Sequence, residues 1–296
     1  MAECLAAGDD VAELARGRGA RVDLLDPAAT ASAVAEAHPE VVYHLAARAH
    51  VGQSWKTPAD TLHENLAMTH HLLDAVRAGA PDATVVAVGS GEVYGPPESL
   101  PVDETAALRP QNPYAVSKAS ADLLAGFYAD AFGVRVVRAR AFNHAGPGQA
   151  PIYAIATFAR QVAVGLEAGA EPIRVITGNP DTRRDFTDVR DVVRAYRALA
   201  ESGEPGEVYN VCSGTPASAA ELVGWLGEAA GVPVEQVVDP AKIRAHEVME
   251  LRGSHAKLTA ATGWEPAIQL RLTLRDTVAW WREELSGGGR TSTSAR

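Results

Sequence analysis

Short apolar runs rich in valine alternate along the chain with longer stretches whose apolar positions recur at helical spacing. Strands are predicted over 41–45 (VVYHL), 83–88 (ATVVAV) and 134–139 (VRVVRA), with helices around 65–78 and downstream of Tyr114. A strand that is apolar on both faces has no side to turn to water, so it belongs in a parallel sheet covered by helices above and below. The expected fold class is therefore α/β, with a Rossmann-like doubly wound sheet. Beyond about Gln149 the rhythm changes to a long helix over 155–168, a strand at 173–175 and short elements rich in Gly and Pro, which predicts a smaller C-terminal α/β domain packed on the first. Residues 286–296 are rich in Gly, Ser and Thr and too poor in apolar side chains to repay their ordering entropy, so a disordered tail is expected there. No internal repeat is visible.

A chain of 296 residues with 47% hydrophobic content can bury a sizeable core. Its 37 acidic against 27 basic residues give a net charge of -10, which discourages attraction to nucleic acid or to an anionic membrane surface. The two cysteines, Cys4 and Cys212, have neither metal-site nor disulfide-framework spacing and fit a reducing compartment, so the expected location is the cytoplasm and no metal is expected. No run is long and apolar enough to span a bilayer.

The chemistry concentrates in one segment. Tyr114 and Lys118 in PYAVSK (113–118) lie one helical turn apart on one face, so the ammonium can lower the phenol's pKa and bind a nearby cofactor hydroxyl. That spacing predicts Tyr114 as a proton donor or acceptor near neutral pH. Ser90, in GSGEVYG (89–95), falls at the C-terminal end of a predicted strand, where open α/β sheets hold their ligands, and can hydrogen-bond the same substrate oxygen. Together the three read as carbonyl/alcohol redox chemistry.

With FNHAGPGQ (142–149), RDFTDVRD (184–191), VYNVCSG (208–214) and RGSHAKL (252–258) in this order and spacing, the chain from about 22 to 281 resembles the extended short-chain dehydrogenase/reductases that act on nucleotide sugars. The likeness is greatest to the branch that reduces GDP-4-keto-6-deoxymannose. It implies NADP(H) or NAD(H) as cofactor, a GDP-sugar as substrate, and reduction of the 4-keto group of GDP-4-keto-6-deoxy-D-mannose to a GDP-6-deoxyhexose. It also implies 1–149 as the dinucleotide-binding domain, with segments near 183–215 returning to it, and 150–285 as mainly the substrate domain.

Carried onto these positions, the resemblance makes Ser90, Tyr114 and Lys118 catalytic. Asp23, Leu24, Leu45, Ala46, Ala47, Tyr114, Lys118 and His144 would hold the cofactor. Ser90, Glu92, Asn143, Arg184, Arg244 and Glu247 would hold the substrate. Asp26 before Pro27 suits a helix N-cap better than Asp23 does. His44 is expected to be a packed strand residue, and Asn65 a structural one that satisfies backbone groups near the site. Arg16 and Arg18 sit where a 2′-phosphate is recognised or else in a solvated loop, while Arg183, Arg190 and Arg194 are expected in surface ion pairs. Glu92 stands where related 4,6-dehydratases carry a base, so a dehydratase, an epimerase or a reductase of opposite C4 configuration remains open as a sister activity. The resemblance further implies a homodimer through a four-helix bundle of the helices near 61–78 and 114–131, with Leu123, Leu124 and Phe127 on its outer face.

Such a sheet opens with an apolar strand and a glycine-rich turn whose helix N-terminus receives the cofactor pyrophosphate. Residues 1–11 instead resemble the end of that first helix followed by the second strand. The favoured expectation is a start site placed downstream of the true one. A chain lacking the turn would bind cofactor poorly and could be an inactive binding or assembly subunit.

Overall fold

The computed structural model describes residues 8–13, 22–243 and 247–287. A parallel sheet runs in the order β1 (Val41–His44), β2 (Thr84–Val88), β3 (Val136–Ala141), β7 (Val208–Val211), so a late segment returns to a sheet begun by early ones. Alternation along each strand explains why both faces are apolar. Val85 and Val136 enter a cluster with Val34, Leu72, Leu73 and Val76, whereas their neighbours Val86 and Val137 enter another with Val192, Leu199, Tyr209 and Trp264. Burying each such leucine contributes about 1.5–3 kcal/mol.

The first cluster is roofed by α1 (Pro27–Ala37), α3 (Pro58–Gly79) and α4 (Pro113–Phe132), which follow the single-turn α2 (Val51–Ser54). The second is roofed by α6 (Val189–Ser202) and α8 (Ala256–Thr262). Local signals set the helix ends. Asp26 accepts from the backbone N–H groups of Ala28 and Ala29, at 3.0 Å each, with Pro27 opening α1. Asn112 caps α4, and Gly133 closes it at φ 68.

The remaining elements form a second core. Helices α5 (Ala154–Glu167) and α7 (Ala219–Ala230) pack on the parallel pair β5 (Ile173–Thr177) and β9 (Val234–Val238), and α9 (Leu270–Ser286) packs on both helices. Ile155, Phe158, Val162, Ile173, Leu222, Leu226 and Leu274 fill it. Between the two cores, β6 (Arg183–Asp188) pairs in parallel with β4 (Asn143–Ala145) and β10 (Glu250–Leu251), and antiparallel with β8 (Pro216–Ser218).

Two expectations need correction. Ser286 is the last helical residue of α9 and Gly287 its cap, so the tail cannot start at 286; residues 288–296 lie outside the described residues. Leu124 packs inward on the first cluster, whereas Leu123 and Phe127 stay exposed, because 124 is rotated about 100° from 123 around the helix. No helix among the described residues is long and apolar enough to cross a membrane.

Candidate active site

The site is built where β2 ends. Ser90 leaves the strand in extended conformation and caps the short 3-10 turn Gly91–Tyr94, its Oγ accepting from the Glu92 N–H at 3.2 Å. A Cβ on Gly91 would meet the Phe142 ring at 2.9 Å, and one on Gly95, at φ 59, would run into the Arg109 carbonyl oxygen. Only glycine lets this turn pack so closely. The turn hands on to α4 through Asn112, whose Oδ1 accepts from Ala115 N–H at 2.8 Å and whose Nδ2 donates to Glu92 Oε2 at 3.3 Å. Tyr114 therefore sits in the first turn of α4, facing Ser90 and Glu92.

Ser90 lies beside the Tyr114 phenol and favours its ionised form. Lys118 is buried below it, and its ammonium donates to the Val88 carbonyl at 2.5 Å. Burial lowers the Lys118 pKa to about 8 against the lift from Asp122, so it remains largely charged at pH 7. The phenol differs from expectation. Burial, with smaller contributions from Glu92 and Tyr153, raises its pKa to about 12 despite the opposing effect of Ser90. Desolvation outweighs the help expected from a lysine whose ammonium is turned onto a backbone carbonyl. Tyr114 holds its proton and stands as a donor.

A cavity of about 590 Å³ opens above these groups. Its wall includes Leu45, Ala47, Ser90, Glu92, Tyr114, Lys118, Asn143 and His144, and so brings together residues from four separate sequence segments. Burial lowers the His144 pKa, and its Nδ1–H donates to the Phe142 carbonyl at 3.3 Å, leaving Nε2 as an acceptor. Tyr153, Tyr196 and Gln149 also line the cavity, as do Val189 and Val192. Tyr153 and Tyr196 belong to no motif, and only the folded topology brings them here.

Other expected site residues lie elsewhere. Ala46 is not part of the wall, although both its neighbours are. Asp23 and Leu24 occupy the turn before α1: Asp23 Oδ1 accepts from Leu25 N–H at 3.0 Å, and the buried Leu24 offers its carbonyl to His71 Nδ1 at 2.8 Å. Arg184 lies at the cavity margin, in register with the wall residue Leu251, and donates to the Arg183 carbonyl at 2.9 Å. Glu247 accepts from Asn179 Nδ2 at 3.1 Å. Arg16, Arg18, Cys4 and Arg244 lie outside the described residues, as do residues 1–7 of the opening segment.

The supporting residues have defined partners. His44 is buried with Nε2 3.0 Å from Thr69 Oγ1, and burial together with Lys118 lowers its pKa to about 3. Asn65 accepts from Arg48 N–H at 2.7 Å and donates to Ser117 Oγ at 2.8 Å. Arg183 pairs with Glu221 at 2.8 Å, Arg190 with Asp188 at 2.7 Å, and Arg194 with Asp191 at 2.5 Å. Among the described residues no group of three His, Cys, Asp or Glu side chains is arranged to hold a metal ion.

Comparison with known proteins places this site. Residues 9–277 match the family model described as GDP-mannose 4,6 dehydratase, and the chain belongs to that family. It is 41% identical over 267 residues to the GDP-6-deoxy-D-mannose reductase of Pseudomonas aeruginosa, spanning 90% of this chain and 87% of that protein. It is also 35% identical to the dTDP-glucose 4,6-dehydratase of Streptomyces griseus, over 83% of this chain and 72% of the relative. Among solved structures it superposes on RMD from Pseudomonas aeruginosa complexed with NADPH, with TM-score 0.85, 39% identity, and 95% and 94% of the two chains covered. The Thermus thermophilus UDP-glucose 4-epimerase complex with NAD aligns with TM-score 0.82 and 30% identity, over 95% of this chain and 94% of that one.

Proposed function

We propose that the protein reduces the 4-keto group of GDP-4-keto-6-deoxy-D-mannose, using NADPH or NADH, to a GDP-6-deoxyhexose in the cytoplasm. The observation that carries this reading is the meeting of Ser90, Tyr114 and the buried ammonium of Lys118 in one cavity wall, in a chain 41% identical to a GDP-6-deoxy-D-mannose reductase. A nicotinamide fits the wall residues present, because Val88, Ala141, Val189 and Val192 offer apolar surface beside the Lys118 ammonium. When bound, the cofactor supplies the hydride that the carbonyl carbon receives. Tyr114 gives its proton to the carbonyl oxygen, Ser90 orients that oxygen by a hydrogen bond, and Lys118 holds ribose hydroxyls while stabilising the phenolate left behind. Asn143 and Arg184 are assigned to the substrate phosphates, and Arg244 with Glu247 to the phosphate and nucleoside, as the resemblance implies; a guanidinium fork suits phosphate geometry better than an ammonium.

The chain is read as two lobes, 1–149 with the returning segments near 183–215 for the dinucleotide and 150–285 for the sugar nucleotide. A homodimer is proposed through the outer faces of α3 and α4, where Leu62, Leu66, Val116, Leu123 and Phe127 are exposed on neighbouring helices. A 4,6-dehydratase is the second reading, favoured by the Glu92 carboxylate in the cavity wall.

Incubation with GDP-4-keto-6-deoxy-D-mannose and NADPH tests the assignment. Loss of nicotinamide absorbance with a reduced C4 carbon in the product's NMR spectrum is expected. Absence of cofactor oxidation overturns it, and a 4-keto product from GDP-mannose replaces it with the dehydratase.

A further inference from the structure

We propose that Asp122, bound to Arg140 below the cavity floor, is a positioning residue that keeps Lys118 charged for the reaction. The proposal deepens the reductase reading and rests on it for its kinetic arm alone.

Asp122 lies one helical turn beyond Lys118 on α4 and is only 5% exposed. Its two oxygens take a forked contact from Arg140, Oδ2 from Nη2 at 2.7 Å and Oδ1 from Nε at 3.2 Å, while Arg138 Nη1 approaches Oδ2 at 3.5 Å. Arg140 Nη1 donates to Tyr94 Oη at 3.0 Å, and Tyr94 donates to Asn210 Oδ1 at 2.7 Å. The chain of bonds thus joins α4 and β3 to the turn that follows Ser90 and to β7. A Cβ on Gly89 would stand 3.6 Å from Asp122 Oδ1, so the carboxylate lies against the residue preceding Ser90 as well as one turn from Lys118. None of Asp122, Arg140, Tyr94 or Asn210 belongs to the cavity wall, so the network acts on the reaction only through other groups.

A buried ion pair is a poor stabiliser compared with well-packed apolar side chains of similar volume. This one has a function to serve because Lys118 is itself buried. The groups around that ammonium are Tyr114 and Asp122 on its own helix, neutral His44 on β1, and the Val88 carbonyl on β2. Arg140 on β3 and Tyr94 on the turn reach it only through Asp122. Among the described residues the Asp122 carboxylate is the anion that opposes the discharge favoured by burial, leaving the Lys118 pKa lowered only to about 8. Lys118 is charged below its pKa, so removing the anion moves the loss of charge to lower pH.

The sequence contains four lysines, Lys56, Lys118, Lys242 and Lys257, which makes the ε-carbon resonances of lysine resolvable in the full chain and the Lys118 signal assignable by its loss in Lys118→Arg. The test variant is Asp122→Leu with Arg140→Met, which removes both charges and leaves neither buried alone. Asp122→Asn serves as a second variant that keeps an acceptor for Arg140. A Lys118 titration displaced downward by on the order of one pH unit in either variant is expected, with Asp122→Glu restoring it. The alkaline limb of kcat/KM should move by the same amount, a roughly tenfold loss at pH 9. An unchanged Lys118 titration in a folded variant overturns the proposal. If the wild type lacks turnover, the reductase reading fails by itself and the NMR titration still decides this one.

Discussion

The floor of the cavity and its rim are built in opposite ways. On the floor, Ser90, Tyr114 and Lys118 are fixed by a strand end, a glycine-dependent turn and a capped helix, with Lys118 sealed against a backbone carbonyl. At the rim, Arg184 donates to the Arg183 carbonyl, and Glu247 accepts from the Asn179 amide. A single hydrogen bond of this kind contributes about 0.5–3 kcal/mol and can be exchanged for one to a ligand. The contrast teaches that the groups proposed to react are pre-set, while those proposed to hold the nucleotide can adapt.

The largest expected effect breaks the floor. Tyr114→Phe removes the donated proton without emptying the site, and kcat should fall by roughly 10²–10⁴-fold while substrate binding, followed calorimetrically, stays nearly intact. An equal loss of binding would make Tyr114 a packing residue and erase the distinction between floor and rim. Next comes the rim itself. Arg184→Ala should raise KM for the GDP-sugar about tenfold with kcat little changed, since a lost charge-assisted hydrogen bond to phosphate is felt equally in ground and transition states. If kcat falls instead, Arg184 belongs with the reacting groups.

A smaller effect is expected on the far side of α4. Phe127 is 54% exposed and Leu123 61%, on the helix that carries Tyr114. Phe127→Glu places a charge in the proposed dimer face, and light scattering should report a monomer where the wild type is a dimer. Turnover should hold within about twofold, because sites this far apart with no shared partners act nearly independently. A wild type already monomeric would remove the four-helix bundle and leave the catalytic floor untouched.

What was legible in the sequence follows the same division. Valine-rich strands, the Asp26–Pro27 helix start and the Tyr114–Lys118 spacing are local patterns, and each appears where the chain order puts it. The strand read at 134–139 begins two residues later, at Val136, and runs on to Ala141. Propensity marks the run of apolar residues, whereas pairing of Val85 with Val136 sets the register. The raised phenol pKa was hidden because burial is a property of the whole fold. Tyr153 and Tyr196 were hidden because each lies far along the chain from Ser90 and Tyr114 and reaches the cavity only through tertiary packing. The Asp122–Arg140–Tyr94–Asn210 network spans four elements, and no spacing rule connects residues 94 and 210.

The finest test of floor against rim is Asn112, which serves two ends at once. Its Oδ1 caps the helix that carries Tyr114, and its Nδ2 steadies Glu92 at 3.3 Å. Asn112→Ala should cost about 1 kcal/mol of stability through the lost cap, lowering Tm by roughly 2 °C in a chain of this size. Asn112→Ser keeps a capping oxygen but offers Glu92 no amide, so its Tm should return toward wild type while the Glu92 carboxylate is released. If kcat follows Tm across the two variants, the cap alone sets the Tyr114 geometry. If kcat stays low in Asn112→Ser, Glu92 must be held in place for the reaction, and one wall of the cavity that looks like floor in its chemistry is tuned as delicately as the rim.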